Sequence, residues 1–214
     1  MTVSCPEISP LARVTPDELN HAFASAPALV FHQAWRGAAG AETRFHPGQV
    51  RVGWQGDELL AWAQLATSAP AGATSRANAD QQWLWTLGDV FEVFVGGIRT
   101  PAYQEYQLSP TGHRLQLDYP RGVPASCMAD LPPHRFFAER LRMSQWSTPT
   151  MWRVFARVVI AGAEGSLLGR QIDACFGRYD YQGNGDGEPV LSSTAPLTAP
   201  NFHLRPEWHV IVFS

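Results

Sequence analysis

The sequence predicts an all-β chain, an antiparallel β-sandwich or jelly roll with one or two short helices. Three observations carry this. Short β-prone segments alternate apolar and polar residues, turn signals separate them at regular spacing, and no rhythm of strand, long helix, strand occurs. The 214 residues fit one domain over 1–214, opened by an irregular and helical lead-in over residues 1–30. Such a chain buries a substantial core without disulfide or metal staples.

Residues 1–14 read as irregular. Thr15-Pro16-Asp17-Glu18-Leu19 then offers an N-cap hydroxyl, proline at the first helical position and acids in the first turn, so a helix through about Ser25 is expected. Gln49–Gly53 and Glu58–Leu65, joined by Gln55-Gly56-Asp57, read as a hairpin. Thr67–Gln81 lacks apolar periodicity and reads as a long exposed excursion, a place where function concentrates. Trp83–Val95 is the strongest strand signal and ends at Gly96-Gly97. Tyr103–Ser109 and His113–Tyr119 follow as a meander around Pro110-Thr111-Gly112. Pro132-Pro133 opens a predicted helix over His134–Met143. Met151–Ile160, Gln171–Tyr181 and His209–Phe213 complete the strands.

Composition narrows the partners. Charged residues are only 16% and the formal net charge is −3, which gives no electrostatic reason to expect a nucleic-acid partner. Arginine carries the positive charge without forming a basic run, so no membrane or phosphate patch is expected. No window approaches the apolar length of a spanning helix. The start MTVSCPEISPLARV has no basic segment followed by an apolar stretch, so the expectation is a cytoplasmic protein. Cys5, Cys127 and Cys175 are widely separated and form no C-x-x-C, so free thiols are expected. The eight tryptophans suit core packing and ligand stacking alike.

Alternation sorts the strands into two faces. Phe91, Val93 and Val95 oppose Val90, Glu92 and Phe94. Tyr106 and Leu108 oppose Glu105 and Gln107, Leu115 and Leu117 oppose Gln116 and Asp118, and Trp152, Val154 and Ala156 oppose Arg153 and Arg157. A glutamate amid apolar neighbours is expensive to bury unpaired, so the Glu92 face is either an ordinary wet sheet face or a binding surface. Glu92 and Glu105 are also the pair to consider for carboxylate catalysis. No G-x-S-x-G elbow occurs for a serine nucleophile, and the chain is expected not to be an enzyme.

Trp85-Thr-Leu-Gly-Asp89-Val-Phe-Glu92-Val-Phe94 resembles the Trp…Asp-x-x-Glu-x-Phe segment of family 9 carbohydrate-binding modules. Tyr103-Gln-Glu105 resembles the Tyr-x-Glu strand that follows it. Phe176-Gly-Arg178-Tyr, Pro189-Val-Leu-Ser-Ser-Thr194 and Pro200-Asn-Phe-His203 are similar to the closing section, and Val52-Gly-Trp54-Gln-Gly-Asp57 to the early hairpin. The matches run in order over most of residues 50–213.

The resemblance implies a β-sandwich that binds a small sugar or glycan end between two aromatic side chains, with polar groups reading hydroxyls. It places Trp85 near the first stacking tryptophan and Glu92 on the sugar-contacting glutamate. The family's arginine falls on Gln107, a departure for which Arg178 is one candidate to compensate, Arg153 and Arg157 being others. The second stacking position falls at Phe202 or His203, with Trp208 six residues on. The wider DOMON-like group contains haem binders as well as sugar binders, so the alternative is a haem-binding or interaction domain, with Met128, Met143 or Met151 and His113 or His203 as the axial ligands to consider. No cofactor is required by the sequence. Asp180, Asn184, Asp186 and Glu188 alternate in a Gly-rich stretch and offer oxygen ligands for a structural calcium, although Asn-Gly and Asp-Gly are first of all turn formers.

Overall fold

The computed structural model describes residues 1–68, 72–122, 134–135 (backbone), 139–160, 166–182 and 187–214. Two β-sheets pack face to face. The strands are β1 (Thr2–Cys5), β2 (Ala28–Val30), β3 (Gly48–Gln55), β4 (Glu58–Ala66), β5 (Val90–Gly97), β6 (Tyr103–Leu108), β7 (Arg114–Tyr119), β8 (His134–Arg135), β9 (Leu141–Thr148), β10 (Met151–Val159), β11 (Gln171–Asp180), β12 (Val190–Ser193) and β13 (His209–Phe213). One sheet runs β1-β13-β11-β5-β6-β7-β8, with β12 also paired to β11; the other runs β2-β3-β4-β10-β9. Every pairing is antiparallel except β1 with β13, which is parallel. Among the described residues no helix is long and apolar enough to cross a membrane.

The sandwich core follows from alternation. Phe91, Val93 and Val95 of β5 meet Trp152, Val154 and Ala156 of β10 in one buried cluster, joined by Phe176 from β11 and by Val50, Val52 and Ala61 from the β3–β4 hairpin. Gly56 turns that hairpin with a left-handed φ of 60°, a conformation glycine adopts without steric cost. Helix α1 (Pro16–Ala22) begins as its caps predict, the Thr15 hydroxyl accepting from the Glu18 amide. It covers the outer face of the five-stranded sheet, where Leu19 and Phe23 pack on Leu60, Trp62 and Phe155.

Four expectations are corrected. Residues 2–5 form a strand rather than an irregular lead-in, because Val3 and Cys5 are buried against the sandwich. Trp83–Val95 is not one strand: Leu84–Thr86 is a 3₁₀ turn, Gly88 has φ 139°, and β5 starts at Val90. His134–Met143 is not a helix, since its described parts are β8 and the start of β9. The excursion before β5 is not free. From residue 72 onward it is pinned on the sheet, with the Thr74 amide donating to Asp89 and the Arg76 amide to Leu87.

Candidate functional site

The outer face of the eight-stranded sheet is not wet. A second hydrophobic layer covers it, with Val90 and Phe94 (β5), Leu115, Leu117 and Tyr119 (β7) and Cys175 (β11) lying under Leu84, Leu197, Phe202 and Trp208 from two loops. The loops are 77–87 and 195–208. They leave a cleft of about 270 Å³.

Pairing register sets the floor of this cleft. Gly177, Glu92, Gln107 and Leu115 form one row across β11, β5, β6 and β7; Cys175, Phe94, Glu105 and Leu117 form the next. Trp85, Tyr179, Phe202 and His203 form its sides, with Tyr119, Pro200 and Asn201 completing the lining. Gly177 is required here. A Cβ on it would lie 2.7 Å from the Phe202 ring, so only glycine lets the ring settle on the sheet beside Glu92.

The floor is rich in acceptors. Glu92 and Glu105 are 2% and 3% exposed. The Glu105 carboxylate accepts from Gln107 Nε2 at 2.5 Å and from the Tyr119 hydroxyl at 2.9 Å. The Gln107 Oε1 is buried without a donor. Burial pushes both carboxyls above the usual carboxylate range, and the proximity of Glu105 adds to the shift at Glu92. Burial also lowers His203 to about 4, so its ring is neutral. The Tyr103 hydroxyl, itself held protonated by burial, lies 2.6 Å from His203 Nδ1. Donation there puts the ring proton on Nε2, 3.8 Å from Glu105 Oε2.

Five residues expected at a site from the sequence therefore share this cleft: Trp85, Glu92, Gln107, Phe202 and His203. Two do not. Arg178 has the opposite parity to Glu92's partner Gly177 and points between the sheets, 1% exposed. Its guanidinium donates to the carbonyls of Ala66 (2.5 Å) and His46 and pairs with Asp180 at 3.1 Å. Trp208 lies beneath the loop rather than in the cleft; its Nε1 donates to the Phe202 carbonyl at 2.7 Å and its ring packs on Phe94 and Tyr103. Arg153 and Arg157, the other candidates for the charge lost at Gln107, lie on the other sheet, Arg157 paired with Glu58.

Phe202 is itself 4% exposed, its ring edge-on to Phe94 and Tyr179. It is thus largely occupied by packing. Tyr179, Tyr119, Glu105 and Asn201 enter the cleft beyond the expected set. Two signals could have found them: Tyr119 shares the parity of Leu117, and Tyr179 that of Gly177.

The oxygen ligands proposed for calcium are not assembled among the described residues. Asp180 is buried, its Oδ2 shared by Arg178 and by His46 Nδ1 at 2.8 Å and its Oδ1 accepting from the Gln182 amide. That cationic partner opposes a second cation at the same oxygen. Glu188 is exposed, and Asn184 and Asp186 lie outside the described residues. For the haem alternative, Met143 packs against the inter-sheet core and Met151 lies on the same five-stranded sheet. His113 precedes β7 beside Asp80 and His203 borders the cleft, while Met128 falls outside the described residues.

The sandwich and its loop-covered outer cleft define a fold of the carbohydrate-binding-module class. It is similar over 100% of the chain to a protein from Bacteroides uniformis described as a candidate carbohydrate-binding protein (TM-score 0.75, 13% identity, 99% of that chain). It is also similar to a family 9 carbohydrate-binding module from Caldicellulosiruptor kristjanssonii, solved with cellotriose (TM-score 0.67, 11% identity, 100% of this chain and 94% of that one) and with glucose (TM-score 0.65, 11% identity, 100% and 96%). The fold is that of the family 9 modules. No family model and no curated protein matches the chain by sequence.

Proposed function

We propose that the chain is a non-catalytic carbohydrate-binding domain that holds a small sugar or a glycan end in the cleft over β5 and β6. The observation that carries this is the convergence of Trp85, Glu92, Gln107, Phe202 and His203, scattered over more than a hundred positions, on one cavity of about 270 Å³. That volume is at the small end of ligand pockets, which run from about 300 to 1,000 Å³, and suits a terminal sugar better than a long chain segment. Trp85 and Tyr179 are the half-buried aromatic walls against which C–H faces of a sugar pack. Glu92, Gln107 and Asn201 read hydroxyls. The solved relatives carrying glucose and cellotriose support the same reading.

A binding role also fits the carboxyls better than hydrolysis does. Glycosidase carboxyls flank the bond they cleave, whereas Glu92 and Glu105 stand side by side on one floor and Glu105 is already held by Gln107 and Tyr119. Calorimetric titration with mono- and disaccharides tests the proposal. Trp85→Ala is expected to weaken binding about tenfold or more, about 1.4 kcal/mol. No heat with any sugar, or an unchanged affinity in Trp85→Ala, would overturn it, and sugar turnover lost in Glu92→Gln would replace it with hydrolysis.

A further inference from the structure

We infer that the cleft selects a ligand bearing a protonated amine, an amino sugar, over neutral and acidic sugars. This rests on the sugar-binding reading above and narrows it. The chain contains no lysine, so its cationic side chains are 16 arginines, and among the described residues none of them lines the cleft. Arg178, the nearest in sequence to the floor, faces the other way into carbonyls and Asp180. Arg205, on the covering loop, is spent on Asp173 and the carbonyls of Gly97, Thr100 and Ala102.

Apart from His203 Nε2, 3.8 Å from Glu105 Oε2, and the Asn201 amide, what faces the cavity is short of donors. Glu92 has no hydrogen-bond donor among the described residues, Gln107 presents a buried Oε1 with none, and the Gln107 amide and Tyr119 hydroxyl are directed to Glu105. An ammonium group has three donors and no acceptor, and so matches this floor. A sugar carboxylate would find no cation among the described residues that line the cleft. The aromatic walls add to the same preference, since ring faces attract cations.

The remaining titratable groups around the floor do not supply a cation. Tyr103, Tyr119 and Tyr179 are held protonated, Cys175 is a thiol pushed up to about 12, and His203 is neutral above about 4. Because burial raises both carboxyls, an amine ligand should bind more weakly as pH falls and they take up protons.

The test is calorimetry on the full chain, repeated at a series of pH values from neutral upward across the raised carboxyls, with glucose, glucosamine, N-acetylglucosamine and glucuronic acid, which share one ring configuration. Glucosamine is expected to bind at least about tenfold more tightly than glucose, the scale of one charge-assisted hydrogen bond. N-acetylglucosamine should show no such gain, and glucuronic acid should bind most weakly. Glu92→Gln, which keeps shape, should bring the glucosamine-to-glucose affinity ratio down to about one, whatever it does to glucose binding itself. Equal or better binding of glucose overturns this inference and leaves the sugar-binding reading standing. A glucosamine preference that survives in both Glu92→Gln and Glu105→Gln also overturns it, because the carboxyls would not be its source. Failure of every sugar overturns both readings.

Discussion

Gly177→Ala probes the joint between sandwich and cleft. The added methyl would lie 2.7, 2.8 and 3.1 Å from three atoms of the Phe202 ring, where ordinary contact begins near 3.4 Å, so the ring must retreat by about 0.7 Å. It has little room to do so. Phe94 and Tyr179 hold it edge-on, and its carbonyl is fixed by the Trp208 indole. Overpacking of this kind costs about 1–3 kcal/mol. Against this stands a gain of about 0.5–1 kcal/mol from replacing glycine in a strand. The net expectation is a loss of about 1–2 kcal/mol, a fall in Tm of roughly 2–8 °C for a chain of this size. Urea and thermal unfolding measure it directly, and sugar titration should show weaker binding because the cleft wall moves outward. A variant as stable as the parent, with unchanged binding, would refute the idea that Gly177 sets the position of Phe202.

Three further outcomes are expected. Removing the buried cation in Arg178→Met leaves Asp180 with His46 as its remaining ion-pair partner and takes a nearby positive charge from Asp89; it should cost about 3 kcal/mol, read as a lower urea midpoint. The raised carboxyls of Glu92 and Glu105 give stability that is fully present below the unfolded carboxylate value, about 4.3, and is lost as pH rises through their folded values. His203 and His209, both lowered to about 4, act with the opposite sign, so the quantity to follow is the difference between Glu92→Gln and the parent. It should turn increasingly in favour of the variant as pH rises, and a flat difference would contradict the shift. Arg205→Lys replaces a planar fork serving Asp173 and three carbonyls with a single ammonium. We expect a loss of about 1–2 kcal/mol and faster amide exchange at residues 98–102.

Much of the sandwich was legible because one face of each strand obeys the period of two. The β5 reading held residue for residue: Phe91, Val93 and Val95 enter the core, and Val90, Glu92 and Phe94 leave it. The same rule misled for β7, whose Leu115 and Leu117 look outward with Glu105, not inward. Alternation cannot say which face meets the other sheet when loops bury both. Cleft residues on strands next to a recognised motif, Glu92 and Gln107, are therefore legible, while Tyr119 and Tyr179 carry only their parity with Leu117 and Gly177, because a tyrosine itself suits either face. Arg178 was misplaced for a different reason. It was sought as a lost charge, and its parity with Phe176 already assigned it to the interior. Short edge elements such as β1 and β2 carry too few residues for any period to register.

The parallel pairing of β1 with β13 has a mechanical consequence. Thr2 sits beside Val210 and Cys5 beside Phe213, so tension pulling Thr2 and Phe213 apart runs along both strands in opposite directions. The bonds between them are then loaded in shear and must yield together, unlike a hairpin that unzips one rung at a time. Beyond β1, the Glu7 amide donates to the Ser214 carbonyl and the Ile8 amide to that of Trp54 on the other sheet, so the same pull engages both layers of the sandwich. The floor strands β5, β6 and β7 lie outside that clamp, whereas the loop carrying Phe202 and His203 runs directly into β13 and would feel the load.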